Sequence, residues 1–226
     1  MQVDLLKAGA KYLAMLAEKG LDISVRQDFD SIPAAARAAG RDYQLPTFQI
    51  DRTDHTRAST FWVFLNQGDV SVGSAAAIRQ DLKGENVANY LMRTARHQYP
   101  NPTGSAVSHV SEALSNKMAG SLAYIGELAI APQAKGDRVA LACFMRLVQI
   151  LAISEWDIDW TYAFIPHRHL NANLDKLYGF TQRLPAAQSW VEPVPEKRSS
   201  SEWWVGAPRA ELIEFLRADA QLKDIL

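Results

Sequence analysis

The stretch that most constrains this 226-residue chain runs from residue 122 to residue 154. Residues 122–131 are an apolar run of strand length. A short loop containing Gly136 follows. Residues 138–154 are then apolar almost all round a helical wheel, interrupted by Arg146 and Gln149. A helix with so little polar face has to be covered on several sides. It therefore belongs between a sheet and further helices. Strand-like runs at 122–131, 158–165 and 202–206 alternate with helical runs at 138–154 and 170–178. That alternation, after an antiparallel hairpin in the first half, predicts an α/β fold with a mixed, mostly antiparallel central sheet flanked by helices.

The first half supplies the hairpin. Phe61-Trp62-Val63-Phe64-Leu65 is rich in aromatic and branched residues that favour strands, with Trp62 and Phe64 as core candidates. Asn66-Gln67-Gly68-Asp69 is a turn, and residues 70–78 are its partner strand. Upstream, residues 3–19 carry a helical apolar stripe and Gly20 stops it. Residues 23–27 read as a short strand, and Ser31 as the cap of a helix over 32–39 that Gly40 ends. Residues 48–50 read as another strand. Residues 84–118 look like a helical insertion, broken at Pro100-Asn101-Pro102-Thr103-Gly104, and their low apolar density argues for a mobile segment. Residues 185–201 read as a loop, and 209–222 as a last helix. Trp203 and Trp204 must face opposite sides of the final strand. No linker divides the chain, so a single domain over 1–226 is expected.

Bulk properties exclude several classes of function. The net charge is −1, without a Lys/Arg run, so no nucleic-acid or membrane-surface partner is expected. Cys143 is the sole cysteine, which rules out an internal disulfide and reads as a small buried apolar residue. The start, Met1-Gln2-Val3-Asp4-Leu5-Leu6-Lys7, lacks the basic-then-apolar order of a secretory leader, and a cytoplasmic location is expected. His167 and His169 read as flanking a strand end on one side, but no cysteine or acid stands at a useful spacing for zinc, so no metal is expected.

The segment with chemical content is Leu128-Ala129-Ile130-Ala131-Pro132-Gln133-Ala134-Lys135-Gly136-Asp137-Arg138-Val139-Ala140. A buried strand ends, a glycine loop turns the chain, and a long helix begins. The first amides of such a helix have no internal partner, and the helix dipole adds partial positive charge. Lys135 and Arg138 add full charges, which makes the junction a candidate diphosphate site. An ordinary strand–loop–helix turn is the alternative.

This segment resembles the acyl-CoA loop of the GNAT acyltransferase superfamily, Leu-x-Val-x-Pro-x-x-Arg/Gln-Gly-x-Gly-Ile/Val-Gly/Ala. Leu128, Ile130, Pro132, Lys135, Gly136, Val139 and Ala140 fall at matching places. Lys135 stands for the usual Arg or Gln, and Arg138 for the second glycine. Downstream, Asn171 and Leu177-Tyr178 keep the family's spacing, and Gly179-Phe180 follows without the usual three intervening residues. Anchoring the match on Gly179-Phe180 instead puts Asp175 at the place of the tyrosine.

The resemblance implies an acetyltransferase that moves acetyl from acetyl-CoA to a primary amine of a small molecule or peptide by direct attack, with a homodimer as a family habit. The implied CoA contacts are Leu128, Ala129, Ile130, Lys135, Gly136, Asp137, Arg138, Val139, Ala140 and Asn171. Tyr178 is the implied acid for the leaving thiolate, and Glu127 a base or a residue that orients water. An amide near Ile130 suits the developing oxyanion. Two alternatives remain: a longer acyl-CoA as donor, and a catalytically inactive protein of this fold that binds CoA or a metabolite, or serves in interactions, a reading that Arg138 motivates.

Overall fold

In a computed structural model, residues 2–53, 56–102 and 104–222 are described. Met1 and Thr103 of the readings above lie outside them. The strands are β1 (Asp22–Arg26), β2 (Thr60–Gln67), β3 (Val70–Asp81), β4 (Val107–Val110), β5 (Ser121–Ile130), β6 (Trp160–Ile165), β7 (Gln182–Leu184), β8 (Gln188–Trp190) and β9 (Trp203–Pro208). The helices are α1 (Gln2–Ala17), α2 (Ile32–Ala38), α3 (Val87–Gln98), α4 (Glu112–Ser115), α5 (Arg138–Glu155), α6 (His167–Asn171), α7 (Leu174–Leu177) and α8 (Arg209–Gln221). Seven strands form one sheet in the order β1-β2-β3-β5-β6-β9-β7, while β4 and β8 pair separately. Every neighbouring pair is antiparallel except β5 and β6, which run parallel with α5 as their crossover. The mixed, mostly antiparallel sheet is the one the sequence predicts.

Alternation along the strands feeds two cores. Phe61, Val63 and Leu65 join α1, α5 and α8 on one face, with Cys143 and Phe144 buried at its centre. Trp62 and Phe64 join Phe48, Tyr162 and Trp204 on the other. Trp203 packs toward the first core and Trp204 into the second, as a strand's period of two requires. Among the described residues no helix is long and apolar enough to cross a membrane.

Four local expectations change. Residues 48–50 are not a strand; the chain makes two tight turns, Pro46–Phe48 and Ile50–Arg52. Pro46 opens the first, and Phe48 tucks beneath Gly126, where an added Cβ would come within 2.5 Å of its ring. Ser31 precedes α2 but makes no side-chain cap; its hydroxyl donates to the Asp28 carbonyl. The 84–118 segment packs on the second core through Val87, Tyr90, Val107 and Leu114. Its second piece contains β4, whose partner β8 lies inside the 185–201 stretch read as a loop. Two short strands about eighty positions apart leave no local signature; only tertiary pairing makes them strands.

The polar interruptions of α5 are structural ties. Arg146 donates through Nη1 to Asp219 Oδ2 on α8 at 2.8 Å and through Nε to the Leu177 carbonyl at 3.2 Å. Tyr12 on α1 donates to the same Asp219 oxygen. Arg146 and Asp219 are both buried, so each leaves a costly charge if the other is lost. We predict that Asp219→Ala destabilises the fold by about 3–5 kcal/mol, read in a thermal melt as a fall in Tm of roughly 10 °C. An unchanged melt would mean that α1, α5 and α8 are held by apolar packing alone.

Candidate active site

The site begins where two strands part. β5 and β6 pair only over Leu122–Tyr124 and Trp160–Tyr162. Beyond that point β5 continues to Ile130 and β6 to Ile165 without facing each other. The parting coincides with a β-bulge. Gly126 opposes Ala76 and Ala129 opposes Ser74, so two residues of β5 stand against Ala75 alone. Glu127, inside the bulge, takes a positive φ of 59°. The Ala131 amide donates to the Val72 carbonyl on β3 at 2.8 Å. Successive amides of a strand point to opposite edges, so the amides of Ile130 and Leu128 point into the opening. A cleft of about 790 Å³ occupies it.

Leu128, Ala129 and Ile130 line this cleft, and Lys135 lines its loop end. Gly136 has φ of +98°, a conformation that side chains disfavour, and an added Cβ would meet nothing within 4 Å. Its role is backbone geometry rather than room for a packed neighbour. Among the described residues no intramolecular acceptor takes the amides of Gly136, Asp137 or Arg138. Asp137 caps α5 by accepting the Ala140 amide at 2.9 Å, and Lys19 reaches its other oxygen at 2.7 Å. Partial burial works against the Asp137 charge, but the Ala140 amide and the Lys19 ammonium hold its carboxyl below the usual range.

Arg138 does not plug the turn. Its Nη2 donates to the Ala172 carbonyl at 3.1 Å, which swings the side chain outward along α6. Gly136, Asp137 and Ala140 border a second, smaller groove with Lys19, of about 260 Å³. Arg138 and Val139 line neither cavity, and Asn171 is exposed at the end of α6, away from the cleft lining. In its stead His167, Arg168 and His169 reach the cleft. These histidines open a helix rather than end a strand, so two positions apart they diverge instead of pointing together. Burial, aided by Arg168, holds His169 below its ordinary value.

Tyr178 and Asp175 are placed differently with respect to the cleft. Tyr178 lines the cleft and is 3% exposed; burial raises its phenol far above the usual range, so it stays protonated. Asp175 is buried away from the cleft lining, with Arg183 at 3.8 Å. Gln149, the other polar residue of α5, fixes Tyr178 in place. Its amide nitrogen donates to the Tyr178 carbonyl while its oxygen accepts from the Thr161 hydroxyl on β6 at 2.7 Å.

Glu127 sits inside the bulge with its side chain turned into the protein. It is 2% exposed. Arg41 holds it with one guanidinium edge, Nε donating to Oε2 at 3.0 Å and Nη2 to Oε1 at 3.2 Å, and the Leu45 amide donates to Oε1 at 2.8 Å. Burial outweighs these bonds and raises its carboxyl above the ordinary value. Three acceptor positions are filled, and a carboxylate has about four. The bulge thus ties the 41–45 segment to the sheet and keeps one lone pair in reserve.

Beyond the bulge the cleft ends among Tyr43, Tyr124, Phe164, Arg198 and Glu202. Sequence reasoning missed these residues. Arg41, Tyr43, Arg198 and Glu202 lie in connections without periodicity, and Tyr124 and Phe164 read locally as plain strand aromatics.

No protein-family model and no curated protein sequence matches the chain. Solved structures do. The N-acyl amino acid synthase FeeM from uncultured soil microbes superposes with a TM-score of 0.50 at 12% identity, over 85% of this chain and 92% of that one. A polyamine N-acetyltransferase of Drosophila melanogaster gives 0.48 at 11% identity, over 83% and 100%. An acetyltransferase from Streptococcus agalactiae gives 0.47 at 12%, over 82% and 97%. At such identities the likeness is one of fold.

The loop geometry yields a direct test. With acetyl-CoA at a hundred times its Kd, ligand binding should stabilise the protein by about 2.7 kcal/mol. Gly136→Leu, forced into positive φ, should fold but lose that thermal shift. A retained shift would show that the 135–138 turn does not hold the ligand.

Proposed function

We propose that this chain, which has the GNAT acyltransferase fold, transfers an acetyl group from acetyl-CoA to the primary amine of a small molecule or peptide. The observation that carries the proposal is an open β5 edge and a buried protonated tyrosine in one cleft, with a turn of free amides at the α5 N-terminus adjoining that cleft at Lys135. FeeM, which shares the fold, acylates amino acids by name, and that supports amine acylation here.

Each part has a task. The Gly136, Asp137 and Arg138 amides, with Lys135 and Arg168 nearby, suit the pyrophosphate of CoA. The outward edge of β5 offers its amides and carbonyls to the pantetheine arm as a missing strand would. The amide of Leu128 or Ile130 offers a hydrogen bond to the thioester oxygen as it gains charge. As the new C–N bond forms and the C–S bond breaks, Tyr178 gives its proton to the sulfur. The proton shed by nitrogen passes to water in the cleft, and solvent restores Tyr178; the Glu127 side chain, without accessible surface and engaged by Arg41 and Leu45, holds the bulge instead of taking that proton. Burial supports the role of Tyr178, because it keeps the phenol protonated.

A short acyl group fits the walls. Tyr124 and Phe164 close the cleft beyond the bulge, and the cavity behind them is about 30 Å³. That is room for a water or two, not for a fatty chain. The outward course of Arg138 removes the steric reason for reading the protein as an inactive binder.

Thiol release from acetyl-CoA over a panel of amines checks the assignment. Tyr178→Phe should lower kcat by about 10²-fold while the Kd for acetyl-CoA and the melting temperature hold. Asp175→Asn should leave the Kd for acetyl-CoA unchanged. Full activity of the phenylalanine variant would remove Tyr178 from the chemistry.

A further inference from the structure

The far end of the cleft holds a cation whose partners do not match its burial. Arg198 sits on the 191–202 connection between β8 and β9, and its side chain is 6% exposed. Its guanidinium lies over the Phe164 ring at 5.6 Å and the Trp190 ring at 5.1 Å. Glu202 Oε2 stands 3.4 Å from Nε, yet Nε has no hydrogen-bond partner among the described residues. The same Glu202 oxygen also accepts the Ser199 amide at 3.3 Å. A guanidinium keeps its charge at any working pH and carries five donors in a planar fork. Ring faces, the Tyr124 hydroxyl and one long ion pair leave part of that capacity unused, Nε above all, and a buried charge without full compensation is expensive.

Arg198 also stands where an acceptor has to enter. It lines both the main cleft and the small cavity behind it, beside Tyr124 and Phe164. Tyr124 is four residues before Leu128 on the same strand, about 13 Å along the chain, and side chains from both ends shorten that span. An anion on Arg198 therefore lies within one small molecule's length of the bulge. Glu127 and Glu202 line the same cleft, each already set against its own arginine. A singly charged group is accommodated there, whereas a dianion meets two carboxylates.

We propose that Arg198 binds the carboxylate of the acceptor, so that the amine acylated in this cleft belongs to an amino acid. The planar fork matches the two oxygens of a carboxylate. A polyamine, by contrast, brings a second cation against Arg198. This inference rests on the acyltransferase reading above and narrows it to a substrate class.

The test uses the unaltered chain with saturating acetyl-CoA and matched compounds: free amino acids, the same amino acids as primary amides, and their decarboxylated amines. Free acids should exceed their amides and amines in kcat/KM by about 10²-fold or more. Arg198→Gln should erase that preference while acetyl-CoA still stabilises the variant; if the variant does not fold, the matched comparison on the unaltered chain decides alone. If acetyl-CoA binds but amides and amines equal the acids, or no amino acid is acylated, the carboxylate site is wrong and the acyltransferase reading stands. If acetyl-CoA neither stabilises the protein nor is consumed with any amine, that reading has failed and the carboxylate site falls with it.

Discussion

The structure turns on the separation of β5 from β6 after three paired residues. A parallel pair in the middle of a sheet is ordinarily buried and continuous. Here the ladder stops half-way along β5, and backbone groups that a neighbouring strand would satisfy face a cleft instead. The opening is held by specific contacts. The bulge at Glu127 turns the strand, Gly126 lets Phe48 pack beneath it, and two parallel hydrogen bonds from Arg41 clamp the bulged carboxylate. An open edge is normally a liability for aggregation. Flanked by α5 on one face and by the 41–45 and 197–202 segments at its mouth, this edge is recessed into a groove of limited width.

The polar residues of the central helix connect that opening to the core. Gln149 spans from Thr161 on β6 to the Tyr178 carbonyl, and Arg146 spans from Asp219 to the carbonyl of Leu177. The two adjacent carbonyls at the end of α7 are thus both held from α5. A phenol that has to meet a leaving group within hydrogen-bond reach needs such support. The buried hydrogen bonds cost desolvation, and their placement fits positioning of the cleft wall rather than added stability.

Much of the architecture was legible because it is written in local periodicity. The hairpin of β2 and β3, the all-round apolar α5, the opposed Trp203 and Trp204, and the glycine turn at 136 follow from alternation, length and φ preference. The conformation of the 131–138 loop was legible for the same reason: strand, turn and helix N-terminus are contiguous. What escaped is non-local. The β4–β8 ribbon exists only through pairing between distant segments, and the turns at 46–52 depend on a ring fitting over Gly126. Asn171, whose spacing from Tyr178 fits a motif, ends α6 and is exposed there, a placement that spacing alone does not reveal. The burial of Glu127 was not legible, since Arg41 lies 86 positions away. Arg198 carried no sequence signal, because a single arginine in a Pro- and Ser-rich stretch looks like solvated surface.

The central claim is that backbone amides of an interrupted strand and of the following turn receive an acyl-CoA. Amide chemical-shift mapping of the ¹⁵N-labelled protein during titration with acetyl-CoA tests it most directly. The account predicts saturable shifts concentrated at Leu128, Ile130, Gly136, Asp137 and Arg138, with the paired amides of Ala129 and Ala131 moving less. Shifts confined to residues away from the cleft and its turn, or a spectrum that does not respond, would contradict it.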